Sequence, residues 1–168
     1  MSPIIRTETA ADHAAIREVN RRAIGAEGEA RLVDALRDSG YARLSLVAEE
    51  KRDVVGHILF SVLTSETPRG GIEALSLAPL AVVPSHQRGG IGSSLVREGL
   101  RACRELGHRI VIVLGHPEFY PRFGFSAKLA GPLRSPYSGP AFMAMELLPD
   151  ALRGVEGEVR SPPPFENL

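Results

Sequence analysis

Apolar residues recur at two periods along this chain, and the switches between them mark out its elements. Ile4 to Thr7 is a short apolar opening. Beyond it, Ile16, Val19 and Ala23 fall on one helical face, so a helix is predicted to about Ile24, capped by Thr9, with Asp12 at its positive end. Gly25 and Gly28 are expected to break it. Leu32, Val33 and Leu36 then share one face of a second short helix over Glu29–Asp38, stopped by Gly40. The period shortens after that. Leu44, Leu46 and Ala48 alternate with Ser45 and Val47, and a polar turn follows over Glu49–Asp53. Val54–Val62 is mostly apolar and predicts a strand buried on both faces. A third strand, Ile72–Val83, carries Pro79 in its middle. Proline removes a ladder donor, so this strand must bulge or part from a neighbour there.

Gly90–Leu106 returns to helical spacing, with Ile91, Leu95, Ala102, Cys103 and Leu106 inward and Gly107 closing it. Arg109–Leu114 reads as a central strand, Pro117–Phe123 as a turn-rich segment, and Phe142–Leu147 as a last strand. The order β-α-α-β-β-β-α-β-α-β is a mixed α/β (α+β) pattern with one βαβ crossover over Ile72–Leu114. No repeat or interior linker interrupts residues 1–155, which form one domain. Pro162, Pro163 and Pro164 mark 156–168 as an extended tail packed on it or trailing from it.

Composition narrows the function classes. A chain of 168 residues suits one domain with its own core. Lys plus Arg is 20 and Asp plus Glu is 20, a balance that argues against a nucleic-acid partner and against a polybasic membrane anchor. The longest apolar runs, such as IVIVL, fall far short of the roughly 20 residues that cross a bilayer. The N-terminus has no basic region followed by an apolar one, so the default location is the cytoplasm. One cysteine, Cys103, excludes an intrachain disulfide and a multi-cysteine metal cluster; on an apolar helix face it reads as a buried hydrophobe. The histidines at 13, 57, 86, 108 and 116 lack HxxxH or HExxH spacing, so no metal site is expected. His57 reads as a satisfied structural histidine.

The stretch LAVVPSHQRGGIGSSLV carries the candidate chemistry. A strand ends at Val83, and a proline and a loop turn into a helix whose first turn holds Gly92, Ser93 and Ser94. Glycines admit a ligand to the backbone, and a helix N-terminus offers free N–H groups and a partial positive charge, so the segment reads as a phosphate or pyrophosphate cradle. No lysine follows Gly90 or Gly92, which excludes a P-loop, and Leu95 stands where a dinucleotide fingerprint needs Gly or Ala.

Gln87, Gly90 and Gly92 after the strand LAVV instead resemble the acyl-CoA loop of the GCN5-related N-acetyltransferase (GNAT) superfamily. A second patch, LGHPEFYPRFGF, resembles that family's tyrosine followed by Gly-Phe, here Tyr120, Gly124 and Phe125. With GHILFS and FMAMEL, it is most similar to the YhbS-like branch. The resemblance implies a three-layer α-β-α fold around a mostly antiparallel, splayed sheet of about six to seven strands. It implies N-acetyl transfer from acetyl-CoA, as cosubstrate, to a primary amine on a small molecule or peptide, in a monomer or homodimer. By the same resemblance, Leu80, Ala81, Val82 and Val83 meet the pantetheine arm, and a backbone N–H near Val82 or Val83 polarises the thioester. Gln87, Arg88, Gly89, Gly90, Ile91, Gly92, Ser93 and Ser94 form the diphosphate loop, and Tyr120 is the general acid. Glu73, His116 and Glu29 stand as candidates for the base. A non-catalytic acyl-CoA-binding domain and a scaffold that binds neither ligand are the alternatives.

Overall fold

The structure, a computed structural model, describes residues 3–24, 27–67, 70–160 and 165; for 27–29, 64–67 and 70–72 it describes the backbone alone. The expected break at Gly25 and the prolines at 162–164 lie outside the described residues. Strand β1 (Ile4–Thr7) leads into a 3-10 turn (Ala10–Asp12) and helix α1 (His13–Ile24). The Thr9 N–H donates to the Asp12 carboxylate at 2.7 Å, and Arg6 donates to the same group at 2.8 and 3.0 Å, so the helix start is tied back to β1. Helix α2 is Glu27–Asp38, so Gly28, expected in the break, lies inside the helix.

Strands β2 (Ala42–Glu50), β3 (Asp53–Thr67) and β4 (Gly70–Val82) form a meander. The β2–β3 turn is tighter than the expected five residues. Lys51 and Arg52 make it alone, both at positive φ (51° and 71°), the geometry that matches strand twist in a two-residue hairpin. Helix α3 (Ile91–Glu105), β5 (Ile110–Leu114), a 3-10 turn (Tyr120–Phe123), β6 (Leu133–Arg134), β7 (Phe142–Glu146) and β8 (Gly157–Arg160) complete the chain. Leu106, expected to face inward, follows the last turn of α3 and is 61% exposed.

Among the described residues the sheet has eight strands, with β1-β2-β3-β4-β5-β7 in line; β8 pairs with β3 and β6. All neighbours in that line are antiparallel except β4 and β5. Residues 157–160, at the start of the expected tail, are thus a strand of the sheet, and Phe165 packs against the α1–α2 core. Helices α1 and α2 cover one face through Ile16, Leu32, Val33 and Leu36 against Val47 and Leu59. The other face holds α3, with Leu95, Val96 and Leu100 against Ile58, Phe60 and Leu75. Two glycines permit this close approach. A Cβ at Gly56 would lie 3.0 Å from Leu95 Cδ1, and one at Gly99 would lie 2.5 Å from Phe60 Cε2.

Candidate active site

The parallel pair is what opens the sheet. Among the described residues, strand β4 pairs with β5 at Leu75–Val111 and Ser76–Ile112 alone. Past that point each strand keeps its outer partner and loses the inner one. Leu80, Ala81 and Val82 stay paired with β3, and Val113 and Leu114 stay paired with β7. The parting coincides with the proline. Between Ile58–Leu80 and Phe60–Leu77, two steps of β3 span three of β4, a bulge at Ala78-Pro79. The result is a gap that widens toward the C-terminal ends of β4 and β5.

The lining of that gap follows from strand alternation. The Val83 amide donates to Val55 O at 2.9 Å, on the β3 side. Successive peptide groups point to opposite sides, so the amides of Ala81 and Val83 face β3 while those of Leu80 and Val82 face the gap. The Val82 carbonyl points the same way and accepts the Gln87 side-chain N–H at 2.9 Å. Of the two amides the sequence suggested, Val83's is engaged and Val82's faces the open side.

Above the gap the chain turns through Pro84–His86 and the exposed residues 87–90 into α3. Arg88 (φ 68°) and Gly90 (φ 89°) both adopt the left-handed region, which curls the loop over the helix start. The first bond back into α3 is Ser94 N–H to Gly90 O at 3.0 Å. The amides of Ile91, Gly92 and Ser93 therefore precede the intrahelical ladder and aim outward. A Cβ at Gly92 would sit 3.9 Å from Val82 Cγ2, which puts this helix end beside the last residue of β4. The Arg88 guanidinium has no ion pair among the described residues. The arrangement suits an elongated ligand with an amide-like arm in the gap and a diphosphate at the helix end.

Tyr120 stands at the same open end. Its ring fills the space a Cβ at Gly115, one residue past β5, would occupy. It is buried, edge-on to Phe119 (5.0 Å) and Phe125 (5.6 Å), and burial pushes its phenol up to about 12. Its hydroxyl has no hydrogen bond among the described residues. Arg97 of α3 lies over the Phe123 ring at 5.3 Å and so links this turn to the cradle helix; no sequence motif pointed to that contact.

The base candidates are placed differently. Glu73 is exposed on β4, two residues before the β4–β5 pairing and so at the closed end of the gap. His116 follows β5 at the open end but is well exposed, with Glu118 at 4.0 Å. The Glu29 side chain lies outside the described residues. Cys103 is wholly buried, and its thiol is pushed up to about 12 by burial, which keeps it protonated and unreactive. Among the described residues no three metal-ligating side chains cluster, and no helix is long and apolar enough to cross a membrane. A cavity of about 640 Å³ lined by Arg104, His108, Arg109 and Leu148 lies at the opposite end of the sheet, where α3 ends and β5 begins.

An open-edged β4, a glycine-bearing turn and an N-terminal helix cradle suit an acyl-CoA type of transferase, and sequence comparison gives the family. The chain belongs to the acetyltransferase (GNAT) family, whose model matches residues 13–125. It is 36% identical over 159 residues to the uncharacterized N-acetyltransferase YhbS of Escherichia coli K12, covering 93% of this chain and 94% of that one. It is 44% identical over 116 residues to the uncharacterized N-acetyltransferase YjhQ of the same strain, covering 68% and 64%. The crystal structure of E. coli YhbS in complex with CoA superimposes with a TM-score of 0.92 at 34% identity, over 99% of this chain and 93% of that one. A Brucella melitensis GNAT acetyltransferase in complex with acetyl-CoA gives 0.82 at 34%, over 97% of each.

Proposed function

We propose that this protein transfers the acetyl group of acetyl-CoA to a primary amine by direct attack on the thioester. The observation that carries the reading is the one-sided pairing of β4 beyond Ser76, which leaves the Leu80 and Val82 amides facing a gap that ends at the α3 cradle. The CoA and acetyl-CoA complexes of the two similar structures support it.

In this reading the diphosphate takes the amides of Gly89 to Ser93, with Arg88 adding charge. The pantetheine arm continues the sheet along Leu80–Val82. The neutral amine attacks the thioester carbonyl carbon, forming a C–N bond as the C=O electrons move to oxygen. An amide at Val82 stabilises that oxyanion, an effect of roughly 2.7–4 kcal/mol in comparable sites. Collapse breaks the C–S bond, and the amine nitrogen loses its proton. Tyr120 keeps its own proton through the neutral range and donates a hydrogen bond to the departing thiolate. An alkyl ammonium near 10.4 must first lose a proton. Of the three base candidates, His116 has its backbone at the open end; it would act through solvent.

The test is thiol release from acetyl-CoA with tyramine, spermidine, lysine and N-terminal peptide amines. Amine-dependent release supports transfer. Saturable acetyl-CoA binding with no release on any amine favours the non-catalytic acyl-CoA-binding alternative.

A further inference from the structure

A buried polar chain lies directly behind the gap, on the α1–α2 face of the sheet. His57 is wholly buried in β3, and both ring nitrogens are engaged. Nδ1 lies 3.1 Å from Asn20 Nδ2 on α1, and Nε2 lies 2.9 Å from Ser45 Oγ on β2. The Asn20 amide nitrogen also donates to Ile16 O at 3.0 Å, which fixes the amide orientation. Nδ1 must therefore accept, so the ring proton sits on Nε2 and is donated to Ser45. Ser45 is joined to Glu8 through the backbone, the Glu8 N–H donating to Ser45 O at 3.0 Å. Glu8 in turn accepts two bonds from Arg37 of α2, at 3.0 and 3.1 Å, and meets His13 Nε2 at 2.9 Å. The donors from Asn20 to His57 to Ser45 run one way, from α1 across β3 to β2. Such a chain polarises itself and favours one geometry.

Its place in the sheet gives it a use. Beyond Ser76, β4 is paired on its β3 side alone, so β3 decides where the Leu80 and Val82 amides point. His57 is the cross-strand partner of Ala81, midway between those two residues. The small Ala81 side chain offers little bulk of its own there. A leucine would fill a buried site without desolvating an imidazole, so the polar chain has to be explained by orientation rather than by packing.

We propose that Asn20–His57–Ser45–Glu8 is a strut that fixes the thioester-binding stretch of β4, with His57 as its positioning residue. The inference rests on the proposed acetyl-CoA site. It predicts a split between the two ends of that ligand, because no member of the strut belongs to the 84–94 cradle.

The experiment compares binding of acetyl-CoA with binding of adenosine 3′-phosphate 5′-diphosphate, which carries the diphosphate and lacks the pantetheine arm. Both ligands are titrated calorimetrically into wild type, Asn20→Leu and Ser45→Ala, each checked for a cooperative melt above the assay temperature. Ser45→Ala removes one hydroxyl and keeps the assay possible if Asn20→Leu does not fold. The strut predicts acetyl-CoA affinity lowered about tenfold in Asn20→Leu and severalfold in Ser45→Ala, with the nucleotide fragment unchanged within twofold. Equal weakening of both ligands, or of neither, overturns the strut while leaving the proposed function standing. Failure of wild type to bind either ligand overturns the proposed function and the strut with it. Nitrogen NMR of His57 in wild type is the check that needs no variant: the Nε2–H tautomer supports the strut, and the Nδ1–H tautomer refutes it.

Discussion

Gly99→Ala sets two effects of known size against each other. Residue 99 is buried in the interior of α3, where alanine is favoured over glycine by about 1 kcal/mol on helix propensity alone. Against that, the new Cβ would lie 2.5 Å from Phe60 Cε2 and 2.8 Å from Cζ, well inside ordinary contact. Phe60 is wholly buried within the main core, so its ring has nowhere to retreat and α3 must lift instead. Overpacking of this kind costs about 1–3 kcal/mol. With two ring atoms overlapped, the upper end applies, leaving a net loss of about 2 kcal/mol. For a chain of this size that lowers the Tm by roughly 4–8 °C. Thermal and urea melts measure it, and a double-mutant cycle with Phe60→Leu isolates the cause, with an expected coupling of about 1 kcal/mol or more. A Gly99→Ala protein that melts above wild type, or strict additivity with Phe60→Leu, would refute the reasoning.

Two further outcomes follow from buried titratable groups. Burial lowers His57 from 6.5 to about 4 in the folded protein, so the unfolded chain takes up this proton first as pH falls. The stability tied to keeping His57 neutral is whole above pH 6.5 and drains away between 6.5 and 4, by about 1.4 kcal/mol per pH unit and roughly 3 kcal/mol in all. Glu8 and Asp12, both held below the usual carboxylate range in the folded state, lose their own contributions as pH falls through their folded values. Urea midpoints at pH 7, 5.5 and 4 should fall steadily, and a His57→Leu variant should lose less than wild type between 7 and 5.5; equal slopes would contradict the assignment. For Tyr120→Phe, the phenol near 12 makes full proton transfer to a thiolate unfavourable, so the lower end of the usual range for an acid, about 10²-fold in kcat, is expected with acetyl-CoA binding unchanged. Unchanged turnover would remove Tyr120 from the mechanism.

The parts of the fold legible in the sequence were those set by local rules. Pro79 in an apolar strand called for a bulge or a parting from a neighbour, and a bulge lies at Ala78-Pro79. Gly90 before a helical period marked the start of α3. The misjudged parts depend on distant partners. Strand β3 runs on through the polar residues 64–67 because β4 pairs with it there and β8, some ninety residues later, covers its other side at 64–66. Nothing local in TSET announces that. Gly28 sits within α2 although its propensity favours a break. At the site, glycine spacing ahead of α3 pointed to the cradle, whereas Tyr120 entered through the family resemblance. Which amides face the gap came only from the register of Val83 on Val55. The His57 chain joins residues 8, 20, 45 and 57, a grouping that no spacing rule collects.

Calorimetric titration of coenzyme A into the folded protein probes the diphosphate cradle most directly. The outward amides of residues 91–93 predict saturable binding at one site per chain, weakened when Gly92 is replaced by Asp so that a carboxylate faces the diphosphate. Absence of heat and of saturation at millimolar coenzyme A, on material with an intact cooperative melt, would contradict the assigned site and the transfer chemistry built on it.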